Sequence, residues 1–314
     1  MLTRRHIRVK VLQSIYAFNR RETPDIDIQE KFLKYSIEQM QDLYLLMLQL
    51  LVSMQEHAER YLSKSQQKHL ATETEKNPSH TFVKNKLIKL IASNSVFAET
   101  IKKKKLNYWE MDSEYVNILF NDLREQEWYR DYLAQNETGF KEDQKFALRL
   151  FKDVIAPNEK LYEYLEDKRL TWIDDFPLVN TAIVKTLGKL SEKNASTLLV
   201  PELYKNEEDR EYAVQLFRKV ILNEEKLHAE ITGKTPNWDQ DRIADVDLII
   251  LKMGIAEFLF FPSIPVRATI NEYLEVSKEY STPKSSVFVN GILDKIVKEF
   301  SENGKLNKIG RGLH

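Results

Sequence analysis

The 314-residue sequence predicts an all-α protein, and three observations support this prediction. Only 8 glycines and 9 prolines interrupt the chain. Apolar residues recur at helical spacing along most of its length, and no run of alternating polar and apolar residues is long enough to indicate a sheet. With 42% hydrophobic residues, the chain can bury a sizeable core, which we expect to be divided over two or more units.

The first element is a basic amphipathic helix, predicted over residues 3–20. Thr3 is a suitable N-cap, and Pro24 in the segment ETPD cannot continue the helix. Its apolar positions at helical spacing are Ile7, Val11, Leu12 and Ile15. We expect these side chains to anchor the helix in a bundle, so that its guanidinium groups are held outward at a rigid edge.

Positive charge is concentrated in this first helix. Residues 1–21 contain six Lys or Arg and no acid, a local charge of +6, whereas the whole chain has a formal charge of -1. Such asymmetry predicts a localised anionic partner. The other compact basic run, Lys102 to Lys105, is interpreted as a solvated helix end that suits the helix dipole, with a secondary phosphate contact as the alternative.

The composition also restricts the cellular setting. The chain has no Cys, which excludes disulfides and thiolate metal sites and fits a reducing cytosol. Its longest apolar run, residues 43–52, is far shorter than the roughly 20 residues that span a bilayer. The N-terminus lacks the apolar segment and cleavage site of a signal peptide. We therefore predict a cytoplasmic protein with no membrane partner.

A helical unit is repeated along the chain. The segment EDQKFALRLFKDVIAPNEKL, residues 142–161, aligns without a gap with EDREYAVQLFRKVILNEEKL, residues 208–227. A W-x-x-D pattern recurs with this unit, at Trp109 and Asp112, Trp172 and Asp175, and Trp238 and Asp241. We interpret the pattern as architectural, because Asp favours a helix start and Trp packs over the joint between helices.

No motif in the sequence indicates catalysis. We find no Gly-rich phosphate loop, no G-x-S-x-G motif, and no His pair at the spacing of a zinc hydrolase site. The sequence therefore predicts a protein that is not an enzyme and that has no cofactor, no metal site and no small-molecule substrate.

The two ends of the chain resemble one known family. Residues 237–296, NWDQDRIADVDLIILKMGIAEFLFFPSIPVRATINEYLEVSKEYSTPKSSVFVNGILDKI, are closely similar to the C-terminal half of NusB transcription antitermination factors. The first helix is similar through RR-x-x-R followed by LQ-x-x-Y, which here are Arg4, Arg5, Arg8, Leu12, Gln13 and Tyr16. The resemblance covers residues 1–20 and roughly 206–300.

This resemblance implies a domain organisation along the sequence. We predict a helical N-terminal region over residues 1–205, expanded by the repeated units, and a NusB-like helical domain over residues 206–300. A basic tail follows at residues 301–314.

The resemblance also implies a function. NusB proteins bind the boxA element of single-stranded RNA together with NusE, a ribosomal protein, in RNA polymerase antitermination complexes, notably on ribosomal RNA operons. The RNA-binding residues carried over are Arg4, Arg5, His6, Arg8, Lys10 and Tyr16, with Lys284 and Ser285 in the loop STPKSSVF. An acidic residue is common in the family at the position of Lys284, so lysine here predicts tighter and less selective backbone binding.

Other interpretations of the same residues remain open. Tyr16 is almost equally well explained as a core residue. We expect Phe288 to pack inward and Asn290 to bond backbone near a helix start, and we assign Asn271 and Glu272 to helix initiation and packing.

Two other functions compete with RNA binding. The first is a helical scaffold whose repeats, within residues 23–205, bind protein in transcription or ribosome assembly. The second is an RNA cytosine methyltransferase, since NusB-like domains occur attached to such enzymes, but this chain has no Gly-rich cofactor-binding unit.

Overall fold

The computed structural model describes residues 2–67, 72, 76–135, 137–234 and 243–313, and within them it contains helices and turns but no strand. The prediction of an all-α fold is confirmed. In chain order the α-helices are α1 (Arg4–Asn19), α2 (Ile26–Gln66), α3 (Lys86–Ala92), α4 (Ser95–Lys104), α5 (Tyr108–Met111), α6 (Ser113–Glu125), α7 (Glu127–Leu133), α8 (Phe140–Leu150), α9 (Glu159–Lys168), α10 (Phe176–Lys189), α11 (Ala195–Leu198), α12 (Glu207–Leu222), α13 (Glu224–Ile231), α14 (Asp245–Phe260), α15 (Val266–Tyr280) and α16 (Ser285–Glu302). A π-helix, Phe151–Ile155, follows α8, and 3-10 helices lie at Leu170–Asp175 and Gly310–Leu313.

The chain folds into two compact units. Unit 1 consists of residues 1–37 and 203–314, and unit 2 of residues 38–202. The first helix therefore belongs to the same unit as the C-terminal helices, whereas our division along the sequence groups it with residues 21–205. Physically, the apolar side of α1 is buried against α12, α14 and α15, and its ion pairs join residues more than 200 positions apart.

The predicted anchoring of α1 is confirmed. Thr3 is its N-cap, the helix ends at Asn19 before Pro24, and the four predicted apolar side chains are at most 3% exposed. Helix α14 is apolar on all sides, because α1, α12, α13, α15 and α16 surround it within unit 1.

The two described copies of the W-x-x-D pattern have the architectural role that we predicted. Trp109 and Trp172 are buried, and their Nε1–H groups donate to the backbone carbonyls of Leu46 and Gln39 in α2, each at 2.8 Å. Asp112 is the N-cap residue of α6, and Asp175 is the N-cap residue of α10. The third copy, Trp238 and Asp241, lies outside the described residues.

The aligned repeat corresponds to two similar helix pairs. Helix α8, continued by the π-helix, and α9 form the first copy; α12 and α13 form the second. Apolar positions that align are buried in both copies, at Phe146 and Tyr212, Ala147 and Ala213, Leu150 and Leu216, Phe151 and Phe217, Val154 and Val220, and Leu161 and Leu227. The repeat is therefore one of core packing as well as of sequence.

The basic run at Lys102 to Lys105 lies at a helix end, as predicted. Helix α4 ends at Lys104, and Lys105 adopts a left-handed backbone conformation with φ of 55°. The ammonium group of Lys104 pairs with Asp42 at 2.6 Å.

Among the helices of the described residues, none is long and apolar enough to cross a membrane.

Candidate nucleic-acid interface

The N-terminus of α1 is fixed by a side-chain cap. The Thr3 backbone N–H donates to Nδ1 of His6 at 3.2 Å, and the Thr3 hydroxyl lies 2.8 Å from the same nitrogen. Burial, together with the charge of Arg5, lowers the pKa of His6, which keeps the imidazole neutral and able to accept. His6 therefore holds the backbone from which the neighbouring arginines project.

Arg4 and Arg5 are partly exposed and engaged by acidic residues of unit 1. Arg4 donates through Nε to Asp209 and through Nη2 to Glu208, each at 2.7 Å. Arg5 donates through Nε and Nη2 to Glu272, at 2.9 and 3.0 Å. The side chains of Arg4 and Arg5 are 27% and 41% exposed, and their Nη1 groups lie outside these bonds.

Arg8 is buried, so the prediction that its guanidinium faces outward is wrong. It donates through Nε and Nη2 to both oxygens of Glu257 in α14, at 2.7 and 2.9 Å, and its side chain is 3% exposed. The Tyr212 hydroxyl also donates to Glu257, as do Tyr273 at 2.7 Å and Thr269 at 2.9 Å. Glu257 thus joins α1, α12, α14 and α15 through one buried carboxylate.

The charge of this buried pair is retained. Burial by itself opposes the charged form of Glu257, but the Arg8 guanidinium and the hydroxyl donors outweigh it and lower the pKa of Glu257. Burial likewise opposes the charge of Arg8, and Glu257 reverses this effect and raises the pKa of Arg8. The result is a fully bonded ion pair that fixes the position of α1.

Three predicted RNA contacts are therefore placed inside the protein. Arg8, Lys10 and Ser285 are each 2% exposed, so the prediction that they are available on the surface is wrong. Arg8 is taken up by Glu257, and Ser285 donates its hydroxyl to the buried Asp247 at 2.7 Å. A sequence count of charge could not reveal the burial of Arg8, because its partner Glu257 is 249 residues away.

A cleft of about 610 Å³ lies beside the start of α1. Its walls are the first residues of α1, the turn between α14 and α15, and the C-terminal 3-10 helix. The ionisable residues lining it are Arg4, Arg5, His6, Arg8, Glu272 and Arg311. Arg311 is 78% exposed and lies 3.6 Å from Glu208, which it shares with Arg4. The cleft thus presents three accessible guanidinium groups, of Arg4, Arg5 and Arg311.

The other end of α1 presents a different group of residues. Arg8 of α1 pairs with Glu257 of α14. Arg20 follows Arg8 by twelve residues and pairs with Asp245, which precedes Glu257 by twelve residues, so α1 and α14 run antiparallel. Tyr16 is 40% exposed, and the Arg20 guanidinium carbon lies 5.2 Å from the centre of its ring. Tyr16 is therefore an accessible aromatic residue and not a core residue.

The loop before α16 reaches the same end of unit 1. Asp247 near the start of α14 accepts from Ser285 at the start of α16, while the preceding Lys284 is exposed. The predicted inward packing of Phe288 is confirmed. Asn290 lies within α16 and donates to Asp294 at 3.1 Å, so its predicted backbone bond near a helix start is wrong.

Five of the eight predicted residues are not buried, and they occupy two separate places. Arg4, Arg5 and His6 line the cleft, while Tyr16 and Lys284 lie toward the opposite end of α1. Tyr16 is twelve residues beyond Arg4, which corresponds to about 18 Å along the helix.

Sequence reasoning missed two residues of this region. Glu257 carried a usable signal, since after Asp247 it is one of only two charged residues in the apolar helix α14, and a charge in a buried helix needs a partner. Arg311 carried a weaker signal, as one of the cations of a short basic tail. Among the described residues, no group of three or more His, Asp or Glu side chains could hold a metal ion.

Comparison with known proteins agrees with this architecture. The family model described as "NusB family" matches residues 178–298. A protein of Geobacter sulfurreducens named "Transcription antitermination protein NusB" is 42% identical over 95 residues, which are 30% of this chain and 69% of that protein. The chain belongs to the NusB family.

Two other curated members carry the same name. The protein of Salinibacter ruber is 39% identical over 104 residues, 33% of this chain and 65% of that relative. The protein of Chloroherpeton thalassium is 34% identical over 122 residues, 39% of this chain and 58% of that relative. This NusB-family chain thus spans less than two thirds of the length of these two relatives, and no solved structure matches it.

Proposed function

We propose that this NusB-family protein is a non-enzymatic transcription antitermination factor that binds boxA-type single-stranded RNA together with NusE, in complexes that keep RNA polymerase elongating. Ribosomal RNA operons are the proposed setting. The name "Transcription antitermination protein NusB", shared by three similar proteins, supports the general function. The observation that supports RNA binding is the cleft beside the start of α1, which Arg4 and Arg5 line.

The geometry of the two arginines suits phosphate. Each uses Nε and Nη2 for its own carboxylates, whereas a guanidinium has five N–H donors in a rigid planar fork. A phosphate oxygen can therefore bond the Nη1 edge without breaking the existing ion pairs. Because Arg8 and Glu257 fix α1, this edge is already ordered before RNA arrives, which lowers the entropy cost of binding.

Tyr16 and Lys284 extend the site along unit 1. The exposed Tyr16 ring can stack on a base, and Lys284 can contact the backbone as a point charge. A strand that contacts Arg4 and Tyr16 must cover about 18 Å along α1. The proposed RNA contacts are thus Arg4, Arg5, Tyr16 and Lys284, with His6 as the residue that positions the cleft.

The acidic partners have a measurable consequence. The carboxylates of Glu208, Asp209 and Glu272 offset the charges of Arg4 and Arg5, so the surface is less basic than the sequence indicates. If Arg4, Arg5 and Lys284 each neutralise one phosphate, the logarithm of RNA affinity should fall with the logarithm of salt at a slope of roughly -2. Each further phosphate contact would make this slope steeper by about 0.7.

The experiment is a comparison of RNA affinities with and without NusE, for a boxA oligonucleotide and a scrambled one of the same length. Arg5→Ala should weaken binding of boxA RNA about fivefold, the loss of one partly exposed charge-assisted contact. Arg149→Ala is the matched control, because Arg149 is also an exposed, ion-paired arginine but belongs to unit 2. Equal binding of the two oligonucleotides would contradict boxA recognition. NusE retention without RNA binding would favour the scaffold function instead.

A further inference from the structure

We propose that the C-terminal segment, residues 305–313, forms the far wall of the RNA-binding cleft and supplies Arg311 as a phosphate contact. This inference rests on the proposed function and names a further part of the same site. The segment follows residue 298, where the match to the family model ends.

The segment is docked through its backbone on the turn between α14 and α15. The Ile309 N–H donates to the Pro262 carbonyl at 3.1 Å. Gly312 packs so closely that a Cβ atom there would lie 2.0 Å from the Pro262 oxygen, a distance no side chain can adopt. Any larger residue at position 312 must displace the segment from this turn.

Lys308 adds a second attachment. Its ammonium group donates to the backbone carbonyls of Glu257 at 3.1 Å and Phe261 at 3.0 Å, at the C-terminal end of α14. Each of these carbonyls also accepts a backbone N–H, from Phe261 and Ile264 respectively. The carbonyl end of a helix carries partial negative charge, which favours the lysine ammonium group at this position. The segment is thus fastened to the same helix that holds Arg8.

This docking determines where Arg311 lies. Arg311 lines the cleft with Arg4 and Arg5, yet it remains 78% exposed and makes one weak ion pair, at 3.6 Å, with Glu208. Glu208 in turn bonds Arg4, so Arg311 and Arg4 converge on one carboxylate. Two guanidinium groups around one anionic group are the arrangement that a phosphate oxygen would also satisfy.

Charge in the segment has one sign. Residues 305–313 contain Lys305, Lys308 and Arg311 and no acid. Lys305 pairs with Glu230 at 2.7 Å and does not line the cleft, while Lys308 is used by α14. Of these three cations, Arg311 is therefore the one that lines the cleft and is available to bind a ligand there.

The test compares four full-length proteins in binding a boxA RNA oligonucleotide in the presence of NusE: the wild type, Arg311→Gln, Lys305→Gln and Gly312→Val. Arg311→Gln should weaken binding about fivefold and make the salt slope shallower by about 0.7, the loss of one phosphate contact. Lys305→Gln removes the same charge from the same segment and should leave affinity and slope near those of the wild type. Gly312→Val retains Arg311 but displaces it, so it should reproduce the loss seen for Arg311→Gln.

The outcomes separate this inference from the function on which it rests. Wild-type affinity in Arg311→Gln, when Arg5→Ala is weakened, would overturn the role of the segment and leave the proposed function standing. Equal losses in Arg311→Gln and Lys305→Gln would also overturn it, because they would indicate a general charge effect. Absence of RNA binding by the wild type would overturn both. Circular dichroism of each variant verifies that its helical content is unchanged.

Discussion

The two copies of the repeated helical unit show how one packing arrangement serves two purposes. In the first copy, Asp143 is fully buried, accepts from the Tyr132 hydroxyl at 2.7 Å, and accepts from the Lys86 backbone N–H at 2.7 Å. In the second copy, the aligned Asp209 accepts from Arg4 at the edge of the cleft. The same carboxylate position thus closes a core in unit 2 and holds a cation near the surface in unit 1.

A neighbouring pair of aligned residues differs by one hydroxyl. Phe146 in the first copy stacks on Tyr132 with ring centres 3.8 Å apart. Tyr212 in the second copy donates its hydroxyl to Glu257 and lies under the guanidinium groups of Arg4 and Arg8. The helices are alike in their apolar positions, and the added hydroxyl accompanies the buried ion pair. A repeat can therefore keep its core while a few polar substitutions create a new polar network.

The largest expected effect comes from breaking the ion pair between Arg8 and Glu257, to which Tyr212 of the second copy donates. Arg8→Leu leaves Glu257 buried and without its cation, which should lower the free energy of unfolding of unit 1 by about 3–5 kcal/mol. Hydrogen exchange should show lost protection in α1, α12 and α14 and unchanged protection in α8. The double variant Arg8→Leu/Glu257→Gln should recover part of the loss, because it removes the unpaired charge and keeps an amide oxygen that accepts from the hydroxyls. Equal protection in the wild type and the single variant would refute this role.

A smaller effect is expected from exchanging the aligned aromatic residues. Tyr212→Phe, which makes the second copy like the first, removes a donor to the buried Glu257 and should cost about 1.5–3 kcal/mol, the range for bonds to charged groups. Phe146→Tyr, the reverse change in unit 2, introduces a hydroxyl into an apolar environment and should cost about 1–3 kcal/mol. Urea unfolding measures both. If neither change alters the free energy of unfolding, the Tyr212 hydroxyl does not contribute to the stability of the Arg8–Glu257 ion pair.

The aligned aspartates should separate stability from RNA binding. Asp143→Asn should lower stability by about 1–3 kcal/mol without changing RNA affinity, because one of the two buried acceptor oxygens becomes an NH2 group that faces a donor. Asp209→Asn should lower stability by less, about 1 kcal/mol, because the buried Asp209 keeps a polar side chain and the partly exposed Arg4 keeps its bond to Glu208. It should also raise RNA affinity, since the negative charge of Asp209 no longer offsets the charge of Arg4. Unfolding curves and RNA titrations of both variants test this. A change in RNA affinity for Asp143→Asn, with none for Asp209→Asn, would contradict the different roles of the two aspartates.

A further prediction concerns pH and the C-terminal segment, residues 305–313. Burial lowers the pKa of Lys308 from 10.5 to about 8. Between these values the unfolded chain binds more protons than the folded one, so the Lys308 contribution to stability should increase as pH rises from about 8 to 10.5. The difference in unfolding free energy between the wild type and Lys308→Met, measured across this range, should increase with pH. A constant difference would exclude this titration.

The sequence predicted the helices well because their signals are local. Apolar spacing located the buried side of α1, and Thr3, Pro24 and the W-x-x-D aspartates marked helix boundaries that the structure confirms. Internal alignment identified two helix pairs with matching cores. The apolar spacing and the boundary residues depend on positions only a few residues apart, where helical geometry is regular. The alignment compares two such local patterns.

The candidate site was less predictable because its geometry depends on topology. Arg8 and Glu257 are 249 residues apart, and nothing local to either residue indicates that they meet. The local charge of +6 was read correctly from the sequence, but the carboxylates that offset it come from α12, α14 and α15. The predicted RNA contacts at Arg4, Arg5, Tyr16 and Lys284 therefore stay a proposal, to be tested by binding.

The bonds from Trp109 and Trp172 to α2 have a consequence for how this protein can change in evolution. Their acceptors, Leu46 and Gln39, are seven residues apart and so lie two turns apart on one side of the helix. Inserting or deleting a single residue between them would rotate one carbonyl by about 100° away from its indole. We therefore expect homologues to conserve the length of this stretch.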